Sequence, residues 1–301
     1  MRADKSPAES VWSRRLDGGP NFSCTPDWGP GQALEGFWRQ VFASARPGAR
    51  VLELGCGSGE VSLWAAEAGR GLKITASDVH DNAAAVRRHP DVTFLGGAPA
   101  QKLPLPDEAF DMVIANFAIE YAPLDGAADE LARVLAPRGG AVLVTHRADS
   151  TITQTSRIAL ATHAAVVAAG VPDRVRRAAA LRADHLTRRK LLKDVLKLRA
   201  DIPAPALSYS GVEYFDLAER LLKGDPAARA DLIALEGSVA MRFDISREQS
   251  AVALDAAALG RFSGMLSGRG LSVDTSELTC TYDGGATDKV GWIVMADKPA
   301  R

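Results

Sequence analysis

Three glycines spaced two residues apart follow an apolar run, and an acidic residue, Glu53, lies two positions before the first of them. Gly55, Gly57 and Gly59 have no Cβ and tolerate positive φ, so their backbone can approach a bound molecule closely. A helix that begins near Glu60 would also point its first N–H groups toward that molecule. The segment therefore predicts a ligand-binding turn between a strand and a helix.

The spacing of these glycines argues against a dinucleotide. A dinucleotide turn needs the pattern Gly-x-Gly-x-x-Gly, and here the third glycine, Gly59, comes one position too early. The sixth position holds Glu60, and Glu53 adds a second carboxylate, which suits a cationic ligand better than a pyrophosphate. A nicotinamide-dependent oxidoreductase is the disfavoured alternative, and measurable NAD binding would revive it.

A parallel sheet must position this turn. Between Arg50 and Arg147, short aliphatic runs alternate with helix-like segments, which predicts right-handed βαβ units. The runs are apolar almost throughout, so we expect both faces of the sheet to be covered. The predicted strands are VLEL, KITAS, VTFL, DMVIAN and GAVLVTH, followed near the end of the chain by LSVDTSELTCTY and KVGWIVMADKP. Together they indicate an α/β fold with a doubly wound, mostly parallel, seven-stranded sheet.

Outside this segment, the sequence patterns predict mainly helices. A helix predicted from Gly29 carries Leu34, Phe37, Trp38 and Val41 on one face, either as a core stripe or as part of a lid. No strand pattern occurs between about Ser150 and Phe243, where five helices are predicted, the last being Pro226–Leu235. The expected divisions are an N-terminal helical arm or lid at 1–49, an α/β core at 50–150 and 246–301, and a helical substrate-cap insert at 151–245.

Composition sets outer limits on function. Of the 301 residues, 47% are hydrophobic, which excludes a mainly disordered chain. The formal net charge of −1 disfavours a dedicated nucleic-acid binder. Its three widely separated cysteines make a disulfide framework or zinc site improbable, and no metal is predicted. The segment MRADKSPAES has no apolar h-region, so we expect a cytoplasmic protein without integral membrane contact.

Four ordered segments resemble the class I S-adenosylmethionine-dependent methyltransferases. The first is the acidic residue followed by Gly-x-Gly-x-Gly, and the second is Asp78 at the end of the second strand. The third and fourth are APAQKLPLPDEAFDMVIANFAIEY and ELARVLAPRGGAVLV, which match in register the family's Leu-Pro stretch and its helix, turn and fifth strand. The resemblance implies a Rossmann-like fold with a helical cap after the fifth strand.

The resemblance also implies a function. It predicts S-adenosylmethionine as cofactor, S-adenosylhomocysteine as product, and methyl transfer to a small organic acceptor, most naturally a specialised metabolite. The alternative is a protein that binds the cofactor without transferring its methyl group. The residues that match the family's cofactor positions, or lie beside them, are Glu53, Gly55, Cys56, Gly57, Gly59, Asp78, Val79, Ala100, Gln101, Asn116 and Phe117.

Two departures from the family pattern affect the site. Pro99 stands where the family often has an aspartate for the adenine amino group, which leaves that contact to the Ala100 backbone and the Gln101 side chain. Glu120–Tyr121 replaces a frequent histidine pair. The catalytic candidates are Glu120, Tyr121 and His146, which follow the fourth and fifth strands; a helix-start carboxylate and a structural strand-end histidine remain the alternatives. His80 and His89 are expected on the surface, and His163 and His185 are expected to be structural or surface residues.

One segment of the insert is strongly basic. Residues Arg174–Arg199 contain ten basic side chains and two acidic ones. A solvated helix face, a site for an anionic acceptor, and a membrane-surface face all remain open. Nucleic acid is disfavoured, because ANFA after the fourth strand differs from the Pro-Pro-Tyr run of base-amino methylases. The expected partner is the small-molecule acceptor, with a homodimer as a further option.

Overall fold

The structure is a computed structural model that describes residues 29–81, 89–181, 185–202 and 211–300. They form two compact units. The sheet unit contains the described residues up to Thr153 and from Val252 onward, and the helical unit is Gln154–Ala251. The chain before Gly29, with most of the predicted arm, lies outside the described residues, as does all but His89 of a helix predicted over Asn82–His89.

The sheet has seven strands in the order β3-β2-β1-β4-β5-β7-β6. β1 to β5 run parallel, whereas β7 is antiparallel to both of its neighbours, β5 and β6. This confirms the predicted mostly parallel, seven-stranded α/β fold. The strands are β1 Arg50–Leu54, β2 Lys73–Ser77, β3 Val92–Leu95, β4 Phe110–Asn116, β5 Leu135–His146, β6 Ser272–Thr281 and β7 Thr287–Asp297.

The described helices are α1 Gly29–Ser44, α2 Glu60–Glu67, α3 Leu124–Val134, α4 Thr151–Ala168, α5 Val171–Ala180, α6 His185–Leu198, α7 Val212–Lys223, α8 Ala228–Val252 and α9 Ala256–Ser267, with a 3-10 helix at Ile119–Tyr121. No single described helix is long and apolar enough to cross a bilayer. Only α4 and α5 taken together reach that length and composition, and the pair is bent by 54°.

The sheet unit has a hydrophobic layer on each face of the sheet. Successive strand residues point to opposite faces, so Val51 belongs to one layer and Leu52 to the other. Trp38 and Phe42 of α1 cover the first face, with ring centroids 5.8 Å apart, and both are fully buried. Phe262 of α9 lies in the second layer. The aromatic stripe predicted from Gly29 is thus part of the core.

The helical unit has its own core, formed by buried side chains of α4 to α8 such as Val175, Leu192 and Phe215. The predicted end of the last helix at Leu235 was wrong. α8 continues to Val252, because the helix accommodates Gly237 and Asp255 then caps the start of α9. The boundary expected at 245/246 therefore falls inside α8. The role of this unit as a substrate cap stays a prediction.

Candidate functional site

The predicted site residues follow the carboxyl ends of four neighbouring strands. β1 lies between β2 and β4, with Leu54 paired to Ser77 on one side and to Ala115 on the other. Asn116 of β4 is in turn paired with Val144 of β5. Because parallel strands end at the same edge of a sheet, the glycine turn, Asp78, Asn116 and His146 meet there, which is where α/β proteins bind ligands.

The glycine turn has the backbone conformation that its sequence predicts. Gly55, Gly57 and Gly59 have φ values of 64°, 53° and 87°. A Cβ built on Gly55 would lie 2.6 Å from the Cβ of Ala118, so this position has no room for a side chain. The N–H of Cys56, the residue between the first two glycines, donates to the Ser77 carbonyl at 2.9 Å. The turn is held against the end of β2.

Asp78 links this turn to the segment that follows β3. Its Oδ2 accepts the Gly57 N–H at 2.8 Å, its Oδ1 accepts the His80 N–H at 2.8 Å, and its carbonyl accepts the Ala98 N–H at 2.9 Å. Burial raises the pKa of Asp78, and the bonds from His80 and Gly57 oppose that rise. His80 itself is only 8% exposed, so its predicted surface position was wrong. His80 is buried because its backbone N–H is bound to the buried Asp78 carboxylate.

Glu53 provides a second buried carboxyl group beside the turn. Its side chain lies inside the sheet unit, and the Ser62 hydroxyl of α2 donates to Oε2. Burial raises the pKa of Glu53 to about 8. Carboxyl oxygens accept hydrogen bonds from hydroxyl groups. The hydrogen-bond acceptors around the turn therefore fit the ribose hydroxyls of S-adenosylmethionine better than a pyrophosphate, which offers only further acceptors.

The segment predicted to face adenine lies next to Asp78 in the fold. Ala100 and Val79 are half-buried, whereas Gln101 is exposed. The Lys102 N–H donates to the Pro99 carbonyl at 2.9 Å and closes this turn. Pro99, which stands where the family often has an aspartate, is thus accommodated in a regular turn.

Asn116 is held by a residue that sequence reasoning did not connect to the site. The indole Nε1 of Trp38 donates to Asn116 Oδ1 at 3.0 Å, although the two residues are 78 positions apart. Trp38 is fully buried, and a buried indole N–H needs an acceptor. That requirement was the available signal, but it does not by itself identify the partner.

Phe117 has a left-handed backbone, with φ of 51°, which is uncommon for a residue other than glycine. Its N–H donates to the Val144 carbonyl at 2.7 Å, and its ring centroid lies 4.3 Å from that of His146. Gly291 of β7 gives this ring its space, because a Cβ there would lie 3.2 Å from Phe117 Cε1. Sequence reasoning missed Gly291, although a glycine inside a strand often marks such a close approach.

Glu120 and His146 form a buried pair. Glu120 Oε1 accepts the His146 backbone N–H at 2.7 Å and lies 2.6 Å from His146 Nδ1. The Glu120 side chain is completely shielded from solvent and that of His146 is 4% exposed. A carboxylate at this distance assigns the ring proton to Nδ1, so Nε2 is the basic nitrogen of the neutral ring.

Two further features distinguish this pair from an ordinary ion pair. Glu120 Oε2 is buried and has no hydrogen-bond partner in the described part of the chain. The Tyr121 ring meets the His146 ring edge-on, with centroids 5.9 Å apart. All three catalytic candidates are therefore in one cluster, in which His146 lies between two aromatic rings and a carboxylate. Within the described ranges, no group of three or more His, Cys, Asp or Glu side chains is placed to hold a metal ion.

Comparison with known proteins places a recognised domain on this part of the chain. Residues 52–143 match a protein-family model described as a methyltransferase domain. A demethylmenaquinone methyltransferase from Beutenbergia cavernae is 34% identical over 116 residues, which cover 36% of this chain and 47% of that protein. A malonyl-[acyl-carrier protein] O-methyltransferase from Enterobacter lignolyticus is 35% identical over 108 residues, which cover 35% and 42%. The chain thus spans less than half the length of these relatives.

Among solved structures, the YcgJ protein from Bacillus subtilis aligns with 90% of this chain and 99% of its own, at 16% identity and a TM-score of 0.46.

Proposed function

We propose that this chain, whose residues 52–143 match a methyltransferase domain, is a class I S-adenosylmethionine-dependent methyltransferase that transfers a methyl group to a small organic acceptor. The observation that carries the proposal is the meeting of two arrangements at one sheet edge: the glycine turn with its buried carboxyl groups, and the Glu120–His146 pair. When bound, S-adenosylmethionine supplies an electrophilic methyl carbon on a positively charged sulfur.

The first arrangement would hold the cofactor. Asp78 has a carboxylate suited to the ribose hydroxyls, and three of the five residues from Gly55 to Gly59 are glycines, whose backbone a ligand can approach closely. Glu53 adds a carboxyl group beside this turn. Ala100 and Gln101 would receive the adenine, while Cys56, Val79, Asn116 and Phe117 would line the rest of the cofactor site.

The second arrangement would prepare the acceptor. The Nδ1–H of His146 donates to Glu120, which orients the ring and would stabilise the imidazolium that forms when Nε2 takes a proton. Phe117 and Tyr121 pack against the ring and shield it from water. A base of this kind is needed only when the attacking atom must lose a proton, so the proposed acceptor carries a hydroxyl or a protonated nitrogen.

The finer substrate assignment is a specialised metabolite that the helical insert would select. The two relatives above act, by their names, on demethylmenaquinone and on malonyl-[acyl-carrier protein], which are chemically unlike one another. The shared segment therefore supports the cofactor chemistry and leaves the acceptor to the rest of each protein. Residues 151–245, which lie outside the matched domain, are the part of this chain proposed to select it.

The test uses purified protein, methyl-labelled S-adenosylmethionine and fractionated extract of the source cells. Label in the small-molecule fraction, with S-adenosylhomocysteine formed in equal amount, is the expected result, and the mass of the labelled compound identifies the acceptor. Label in protein or RNA would overturn the small-molecule assignment. Cofactor binding without labelled product across all fractions would favour the alternative, a protein that binds S-adenosylmethionine without methyl transfer.

A further inference from the structure

The charge of the chain is unevenly distributed. The full sequence has 36 basic and 37 acidic residues, whereas residues 154–251 contain 16 Lys and Arg against 12 Asp and Glu. Within that stretch, α6 alone carries five basic side chains and one acidic one. The positive excess of the helical unit is therefore concentrated on one helix of 14 residues.

The geometry of α6 places most of these cations on a single face. Leu192 and Val195 are fully buried in the core of the helical unit. At 100° per residue, the positions offset by 3, 4, 7 and 11 from Leu186 lie on the opposite side of the helix. This basic face consists of Leu186, Arg189, Lys190, Lys193 and Lys197, and each of them is exposed.

Several arginines of the helical unit pair with nearby acids, whereas most cations of the basic face do not. Arg176 pairs with Asp173 and Glu236, and Arg242 pairs with Glu213. On the basic face, only Lys197 has such a partner, Asp194 at 3.2 Å. Arg189, Lys190 and Lys193 lie in no ion pair with another described residue. Within the described residues, three adjacent cations thus have no acidic partner of their own.

An exposed leucine accompanies these cations. Leu186 is 83% exposed, the highest value among the large hydrophobic residues exposed in the described ranges. A leucine next to a row of cations fits the boundary of an anionic bilayer, where lipid phosphates meet the cations and the acyl region receives the apolar group. An acidic protein would pair with the cations but would surround Leu186 with charged groups, which favours the lipid surface.

We propose that the basic face of α6 docks the helical unit on the surface of an anionic membrane. The interaction is peripheral: the apolar side of α6 stays in the protein core, and only Leu186 enters the bilayer. No residue of the basic face belongs to the candidate active site, so membrane docking is independent of methyl transfer.

Vesicle flotation of the full-length protein tests this docking. We expect at least about tenfold more protein to float with vesicles of phosphatidylcholine and phosphatidylglycerol than with phosphatidylcholine alone, since each surface cation adds attraction to anionic lipid. Raised salt should abolish the difference. The triple variant R189Q/K190Q/K193Q should lose it, whereas the control K73Q/K223Q/R261Q, with the same change in net charge, should keep it. Leu186→Ser should weaken binding at unchanged salt dependence.

Equal flotation with both vesicle types would overturn the proposal, as would equal losses in the triple variant and its control. The protein could instead fail to float with either vesicle type and bind a purified acidic carrier protein through Arg189, Lys190 and Lys193. In that case the basic face recognises a protein and the membrane assignment is wrong. All six substituted side chains are exposed, so we expect both triple variants to fold. Circular dichroism verifies this.

Discussion

The two ends of the candidate site bury carboxyl groups in different ways. Beside the glycine turn, both Asp78 oxygens accept backbone N–H groups, and Glu53 is bound by a serine hydroxyl. At the β4–β5 end, Glu120 binds a titratable ring and keeps one buried oxygen without a partner within the described structure. The first arrangement fixes its groups in place, as ligand binding requires. The second can accommodate a change in charge, as proton transfer requires.

The largest effect is expected at the β4–β5 end. His146→Ala removes the proposed base and should lower the rate of methyl transfer about 10²–10⁴-fold while leaving cofactor affinity nearly unchanged. Glu120→Gln keeps a similar shape but loses the charge that stabilises the imidazolium, so a smaller loss of about tenfold or more is expected. Initial rates with the identified acceptor measure both changes. His185→Ala, at an exposed position of α6, is the control, and full activity of His146→Ala would refute the assignment.

The next effect concerns the cofactor end. Asp78→Ala removes the carboxylate proposed for the ribose hydroxyls and also the acceptor of the Gly57 N–H. Hydrogen bonds to a charged group contribute about 1.5–3 kcal/mol each, so S-adenosylmethionine affinity should fall about 100-fold in calorimetric titrations. The S-adenosylmethionine affinity of Asp78→Asn should lie between those of Asp78→Ala and the wild type. Asp91→Ala, an exposed position just before β3, should bind normally; equal affinity in all of these proteins would contradict the proposed role.

A glycine substitution tests whether the aromatic packing around His146 matters. Gly291→Ala places a Cβ 3.2 Å from Phe117 Cε1 and 2.8 Å from the Thr145 carbonyl oxygen, so the ring or β7 must shift. We expect a loss of about tenfold in the transfer rate measured at saturating cofactor. Gly260→Ala in α9 is the matched control, because no atom lies within 4 Å of the added Cβ. Equal rates in the two variants would show that the position of Phe117 has no catalytic importance.

The last effect is a pH dependence of stability at Glu53, which concerns folding and not turnover. Its pKa of about 8 in the folded protein exceeds the ordinary value of 4.5, so the folded state binds the extra proton between these limits. Stability contributed by this group is therefore present at low pH and declines as the pH rises toward 8. Between about pH 6 and about pH 8, the wild type should lose about 2 kcal/mol more unfolding free energy than Glu53→Gln. Parallel denaturant titrations check this, and identical pH slopes would mean that Glu53 ionises normally.

The cofactor end was easier to predict from the sequence because its glycines have a recognisable spacing after an apolar strand. The turn, Ser62 and Asp78 follow one another through one βαβ unit, and the apolar strand runs fixed the position of that unit in the sheet. Glu120 and His146 also lie within one βαβ unit, but no motif links the two, so their types were recognised but not their pairing. The bond from Trp38 to Asn116 and the packing of Gly291 under Phe117 depend on tertiary structure that no local pattern contains.

The most direct test of the central claim measures binding and turnover side by side in Asp78→Ala and His146→Ala. S-adenosylmethionine affinity is determined by calorimetry, and methyl transfer by labelled product at saturating cofactor. The account predicts that Asp78→Ala loses affinity, whereas His146→Ala binds the cofactor like the wild type and fails to turn over. If His146→Ala instead loses cofactor affinity and turns over normally once the cofactor is saturating, the β4–β5 end belongs to the cofactor site and the division between the two ends is wrong.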